Sequence, residues 1–178
     1  MQVGIGLPNQ IREVDAAILP GWAAQAEEAG FASLATIGRI AYPGVMDTIA
    51  LAVAAASTTT IGLISAIAVG PAYPAVLLAK EAANRARWKD AGRTGAPRLV
   101  ALAYYAFDDI DAGRANIHDY CSSAGEQFAG LMTGNISHGA DGVRATMKAF
   151  EEIGADELIF SPAVSDPAEI GRLAEAVL

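Results

Sequence analysis

The chain has 178 residues, 53% of them hydrophobic and only 18% charged, with a formal net charge of −8 at pH 7. That length suits one domain with a large core, and the acidic balance excludes a nucleic-acid surface, which needs clustered Lys and Arg to displace counterions. The single cysteine, Cys121, excludes an internal disulfide framework and any CxxC metal or redox motif, and points to the cytoplasm.

From the N-terminus, Gln2 to Leu7 is a short β-type run ending in the turn signal Pro8-Asn9. The chain enters this strand without a basic region leading an apolar run, so no signal peptide is expected. Pro20 suits a first helical turn, Trp22 to Ala29 carries the helical pattern, and Gly30 fits the left-handed stop. Strand two is Ala32 to Ile37. The turn at Pro43-Gly44 opens a helix over Met46 to Ala56, with Asp47 complementing the dipole of its first turn. Thr60 to Val69 reads as a continuous apolar strand covered on both faces, ended by Gly70-Pro71. A helix from Pro74 to Trp88 follows, with Ala, Leu and Lys favouring it.

Polar residues 90–97 form a loop, and Arg98 to Phe107 is strand four. Asp108, Asp109 and Asp111 do not make an EF-hand: counted from Asp109, position twelve is Tyr120 rather than glutamate. They instead cap the helix predicted from Ala112 to about Leu131. Gly134-Asn135 breaks it, and another helix spans Asp141 to Ile153. Residues 152–159 then repeat the phrase at 28–35: helix end, glycine stop, tight loop, buried strand. Strand five is Glu157 to Phe160, and Asp166-Pro167-Ala168-Glu169 supplies N-cap, N1 proline and N3 glutamate for the last helix.

Five βα units of the parallel kind result. On pattern alone an open doubly wound sheet and a (β/α) barrel both remain, although a complete barrel needs eight strands. Gly4-x-Gly6 lacks the third glycine of a dinucleotide loop, since Asn9 stands there. The basic residues Arg85, Arg87, Lys89, Arg93 and Arg98, with Trp88 as the one interleaved aromatic, read as a solvated helix end. His118 and Cys121 are spaced i, i+3 on a helix, and a buried thiol beside a surface imidazole is the simpler reading than a nucleophilic pair. Neither His118 nor His138 has partners at metal-binding spacing, and no metal is expected. No apolar stretch is long enough to span a bilayer.

Val3-Gly4-Ile5-Gly6-Leu7-Pro8-Asn9, the run Ala26 to Leu34 preceded by Trp22-Ala23, and Arg39-Ile40-Ala41-Tyr42-Pro43 together resemble the opening of the bacterial luciferase-like monooxygenases, and most nearly their F420-dependent oxidoreductases. Leu77 to Ala83 resembles that family's third barrel helix, Arg98 to Tyr105 its seventh strand, and Gly154 to Ile159 its eighth. The resemblance implies one domain over 1–178: residues 1–83 match strands one to three, 97–178 match strands seven and eight, and 84–96 form a joint replacing the middle. The implied fold is α/β, an incomplete or rearranged (β/α) TIM-type barrel of about five parallel strands, completed by dimerisation. Strands 60–69 and 98–107 either pair directly or leave their apolar faces to a second chain, and the apolar composition favours a homodimer.

The resemblance also implies FMN or F420 as cofactor at the carboxyl end of the strands, with oxidoreductase chemistry and a small-molecule ligand. The missing middle removes part of the phosphate-binding segment, so binding and catalysis are expected to be weakened or lost. Arg39, Tyr42, Gly70 and Tyr104 are the pocket candidates. Gly38 stands where many F420-dependent relatives carry an aspartate, so no catalytic residue is assigned.

Overall fold

Each short apolar run between turn signals becomes a strand, and the strands pair in parallel. The structure, a computed structural model, describes residues 1–38, 42–66, 86, 89–92 and 94–178. Its strands are β1 (Gln2–Gly6), β2 (Ser33–Ile37), β3 (Gly62–Ala66), β4 (Val100–Ala106), β5 (Ser137–His138) and β6 (Glu157–Pro162). They form one sheet in the order β3-β2-β1-β6-β4-β5, with every pairing parallel. The α/β class and incomplete barrel expected from the sequence are therefore observed, with six strands instead of about five. The added strand, β5, is two residues long, too short for any periodicity to reveal it.

Among the described residues the sheet stays open, with β3 at one edge and β5 at the other. β4 lies between β6 and β5, so it does not pair with β3. β3 is also not the doubly covered strand that its apolar sequence suggests: Gly62, Leu63 and Ser65 are exposed, as befits an edge position. Residues 67–69 of the strand expected over 60–69, and all but residue 86 of the helix expected over 74–88, lie outside the described residues.

The helices are α1 (Leu19–Ala29), α2 (Asp47–Ser57), α3 (Ile110–Cys121), α4 (Glu126–Gly134), α5 (Gly139–Glu152) and α6 (Ala168–Val177). Gly30 ends α1 at φ 93°, in the left-handed region that glycine enters without strain. The single helix predicted from Ala112 to Leu131 is two. A 3-10 turn over Ser122–Ala124 leads to Gly125 at φ 103°, a conformation incompatible with a continuing helix, and α4 starts afresh. The Asp109 side chain accepts from Ala112 N at 2.9 Å, the cap expected of the acidic run.

Strand alternation separates two cores. On one face Val3, Ile5, Leu34, Ala101, Ala103, Tyr105, Leu158 and Phe160 pack against α1, α2, α5 and α6 through Trp22, Ala50, Phe150 and Leu173. On the opposite face Ile37, Tyr104 and Ala106 pack against Ile117, Tyr120 and Cys121 of α3 and Ala129 and Met132 of α4. The α3–α4 hairpin thus covers, toward the carboxyl ends of the strands, the face that an unclosed barrel leaves open. Burying those apolar side chains offsets the lost closure at roughly 25 cal/mol per Å².

Candidate functional site

The carboxyl ends of parallel strands are where ligands gather in α/β folds, and here the segments following β1, β2, β4 and β6 meet. After β1 a 3-10 turn over Pro8–Gln10 buries two amides. Asn9 Nδ2 donates to the carbonyls of Ile37 (2.9 Å) and Val45 (3.1 Å), and its Oδ1 accepts from Ile37 N at 3.3 Å. This ties the end of β1 to the end of β2 and to the approach to α2. Gln10 Nε2 donates to Pro162 O at 2.6 Å and to Ser161 Oγ at 3.3 Å, tying the same turn to the end of β6. Pro8-Asn9, a turn signal in the sequence, is therefore also the clamp of the ligand end.

Two of the four pocket candidates come together. Tyr104 is buried in the α3–α4 core, and Tyr42 is half-buried against the same cluster, edge-on to Tyr120 with ring centroids 5.1 Å apart. Arg39 and Gly70 lie outside the described residues. The Tyr42 hydroxyl donates to Asp119 Oδ2 at 2.6 Å, and Arg12 holds the same carboxylate at 2.8 and 3.0 Å, its guanidinium 5.4 Å from the centroid of the Tyr42 ring. Arg12 first and Tyr42 second stabilise the charged form, so the Asp119 carboxyl sits below its usual range. Asp119 and Arg12 gave no signal in the sequence, because the loop after β1 and α3 become neighbours only on folding.

Beside Gly38 stands a carboxylate whose placement sequence reasoning missed. A Cβ built on Gly38 would stand 2.7 Å from Asp47 Oδ2. The carboxylate of Asp47, read from the sequence only as a helix-dipole partner, occupies the space beyond the end of β2, where Ser65 Oγ approaches it at 3.5 Å. A glycine at 38 leaves room for it.

The opposite rim is built on α6. Glu169, expected to close a capping box, is instead fully buried and accepts from Phe107 N at 2.8 Å, fixing the end of β4. Burial raises its pKa, opposed by the backbone N–H groups of Phe107 and Asp108 and by Arg172. Burial, with the nearby Glu169 charge, pushes the Tyr105 phenol well above its ordinary 10. Arg172 bridges Asp108 (2.6 Å), Glu169 (3.2 Å) and Asp166 (3.8 Å). His118 pairs with Glu126 at 3.1 Å across the α3–α4 elbow while Cys121 is buried, as expected of a buried thiol near a surface imidazole. His138 Nε2 meets Phe107 O at 3.1 Å. Among the described residues no three His, Cys, Asp or Glu are grouped to hold a metal ion, and no helix is long and apolar enough to cross a membrane.

The segment that carries β1, α1, β2, α2 and β3 resembles a known family. Residues 1–84 match the luciferase-like monooxygenase family. The luciferase-like segment thus includes the Asn9 clamp, Tyr42 and Asp47, while β4, β6 and the α3–α4 hairpin lie beyond it. Two solved structures are similar over 99% of this chain and 98% of their own. One is an F420-dependent secondary alcohol dehydrogenase in complex with an F420-acetone adduct, with a TM-score of 0.68 at 10% identity. The other is the monooxygenase RslO1 from Streptomyces bottropensis, with a TM-score of 0.60 at 14% identity. At such identities the likeness speaks for the fold alone, and it runs through β4, β6 and the helices around them as well. No curated protein matches the sequence.

A flavin cofactor with a phosphate asks this end of the sheet for an apolar slot and an anion clamp. The described residues do not fit the second demand. Arg12 is engaged by Asp119, Arg114 by Asp111 and Arg172 by three carboxylates. The slot itself is packed with Tyr104, Tyr120, Cys121 and Met132.

Proposed function

We propose that this chain is a shortened luciferase-like oxidoreductase homologue whose binding of FMN or F420, and with it catalysis, is weakened. The observation that carries the reading is the packing of α3 and α4 against Ile37, Tyr104 and Ala106 at the carboxyl end of the sheet, where a ligand of this fold class would sit. The engagement of Arg12, Arg114 and Arg172 by carboxylates supports it, because an anion would have to displace those partners. The F420-dependent alcohol dehydrogenase of similar fold supports the cofactor class.

Titration of the purified protein with FMN and with F420, followed by visible absorption, tests this. The expected result is a weak, unsaturated change for both. A stoichiometric spectral shift at micromolar cofactor, or a protein that purifies coloured, refutes the weakening.

We also propose that the protein is a homodimer. Met46 (63% exposed), Ile49 (55%) and Leu63 (41%) leave apolar surface on α2 and the β3 edge, and a second copy of the chain is the occupant that the composition favours.

A further inference from the structure

Among the described connections, the α3–α4 hairpin runs against the others. α1, α2 and α5 carry the chain along the strand order in one direction and pack on one face, whereas α3 and α4 carry it from β4 to β5 in the opposite direction. Right-handed crossovers of opposite direction place their helices on opposite faces, which is why this pair lies over Ile37, Tyr104 and Ala106. The excursion leaves and rejoins the sheet at one point. Tyr105 and Ala106 pair with Ser137 and His138, and the Phe107 carbonyl accepts from His138 Nε2 at 3.1 Å. Between those ends the segment is held by its own helical hydrogen bonds, its 3-10 elbow and the His118–Glu126 pair. Its seat is a core of nine buried residues, against twenty-one in the core on the other face. The pairings among β1, β2, β4 and β6 do not involve it. A segment with a small core of its own, whose departure breaks no strand ladder, opens at a lower cost than global unfolding.

We propose that the α3–α4 hairpin is a hinged cover, which swings off the carboxyl end of the sheet as a unit about its joined ends, with Asp119 as its latch. The inference rests on the reading above in one respect, that the end it uncovers is the ligand end. Asp119 lies about 14 Å along α3 from the start of that helix, at 1.5 Å per residue, and so acts far from the hinge. Two groups outside the hairpin grip its carboxylate: Arg12 from the turn after β1, at 2.8 Å, and the Tyr42 hydroxyl from the segment after β2, at 2.6 Å. Arg12 and Asp119 are both partly exposed, and an ion pair that water reaches holds only weakly. Nearer the hinge, Asn116 Nδ2 donates to Ala163 O at 2.9 Å, a single bond that opening exchanges for water.

Cys121 is the chain's single cysteine and is buried in the seat of the hairpin, so its labelling reports opening in the unaltered protein. The rate of reaction with 5,5′-dithiobis(2-nitrobenzoate) is measured where it is proportional to reagent concentration. It is expected to rise with urea less than about a third as steeply as global unfolding does, because the slope follows the surface exposed. Asp119→Ala is expected to speed labelling about 5-fold, the effect of losing a weak ion pair and one hydrogen bond. Arg98→Met weakens the amino end of the sheet, which stays folded when the cover opens, and is expected to leave the rate within about 2-fold of the parent. Labelling with the full urea dependence of global unfolding overturns the proposal, as does an Arg98→Met protein labelled as fast as Asp119→Ala. If Asp119→Ala does not fold, Tyr42→Phe, which removes one of the two grips, takes its place, and the urea dependence of the parent decides by itself. Stoichiometric FMN binding by the unaltered protein overturns the reading of a weakened cofactor site, and the labelling result then still decides whether the hairpin opens.

Discussion

The amino end of the sheet offers the most quantitative perturbation. Glu157 opens β6 with its carboxylate buried, accepting from the Ser33 hydroxyl of β2 and from Arg98 Nη2 at 2.5 Å. Arg98 also donates to Gln2 Oε1 of β1 at 2.6 Å, so one network joins three strands and the approach to β4. Gly4 makes room for it, because a Cβ there would run into Ser33 Oγ and stand 3.1 Å from Glu157 Oε1. Arg98→Met keeps the aliphatic stem and removes the charge, leaving a buried carboxylate with one neutral donor. For a fully buried pair that costs about 3–5 kcal/mol. The Arg98 side chain is 54% exposed, so water reaches the vacated position and about 2 kcal/mol is the working figure. In a domain of this size that lowers Tm by about 4–8 °C. Urea unfolding of the single variant, Glu157→Gln, and the double variant measures the coupling. The double variant is expected to recover about 1 kcal/mol relative to Arg98→Met, since no uncompensated charge remains. An Arg98→Met protein within about 0.5 kcal/mol of the parent would refute the account.

Three further expectations have simple readouts. Tyr105→Phe removes a buried hydroxyl that has no hydrogen-bond partner among the described residues and is expected to raise stability by about 1 kcal/mol in urea unfolding, with a loss of that size refuting the burial argument. Glu27 accepts from the backbone N–H groups of Thr59, Thr60 and Ile61 at 2.9, 2.5 and 2.9 Å, which lowers its pKa from 4.5 to about 2. Its contribution is therefore complete above pH 4.5 and lost as pH falls from there toward 2; Glu27→Gln should flatten the Tm profile over that window and leave the shape at neutral pH unchanged. For the proposed homodimer, light scattering at micromolar concentration is expected to give twice the chain mass, and Leu63→Lys to give monomer. A stable monomeric parent refutes dimerisation.

Much of the architecture was legible because it is local. Glycine stops such as Gly30, the Asp109 cap and the apolar runs of β1, β2, β4 and β6 are dictated by backbone sterics and strand alternation within a few residues. Even the family likeness lies in one contiguous stretch, residues 1–84. The elements that escaped were those defined by distant neighbours. β5 exists because Ser137 and His138 fall beside Tyr105 and Ala106. β3 looks like an interior strand by composition and becomes an edge by its place in the order. Glu169 has the spacing of a capping box, yet its carboxylate goes to the end of β4.

The ligand end follows the same division. The chain by itself determined a parallel α/β protein whose strand ends carry turns and tyrosines, because periodicity and turn chemistry act over short range. Only the tertiary structure decided that Asp47 fills the space beside Gly38, that Asp119 joins Arg12 and Tyr42, and that Gln10 ties the turn after β1 to the end of β6. Arg12 and Asp119 stand 107 positions apart, and such contacts leave no trace in sequence spacing until the sheet brings them together.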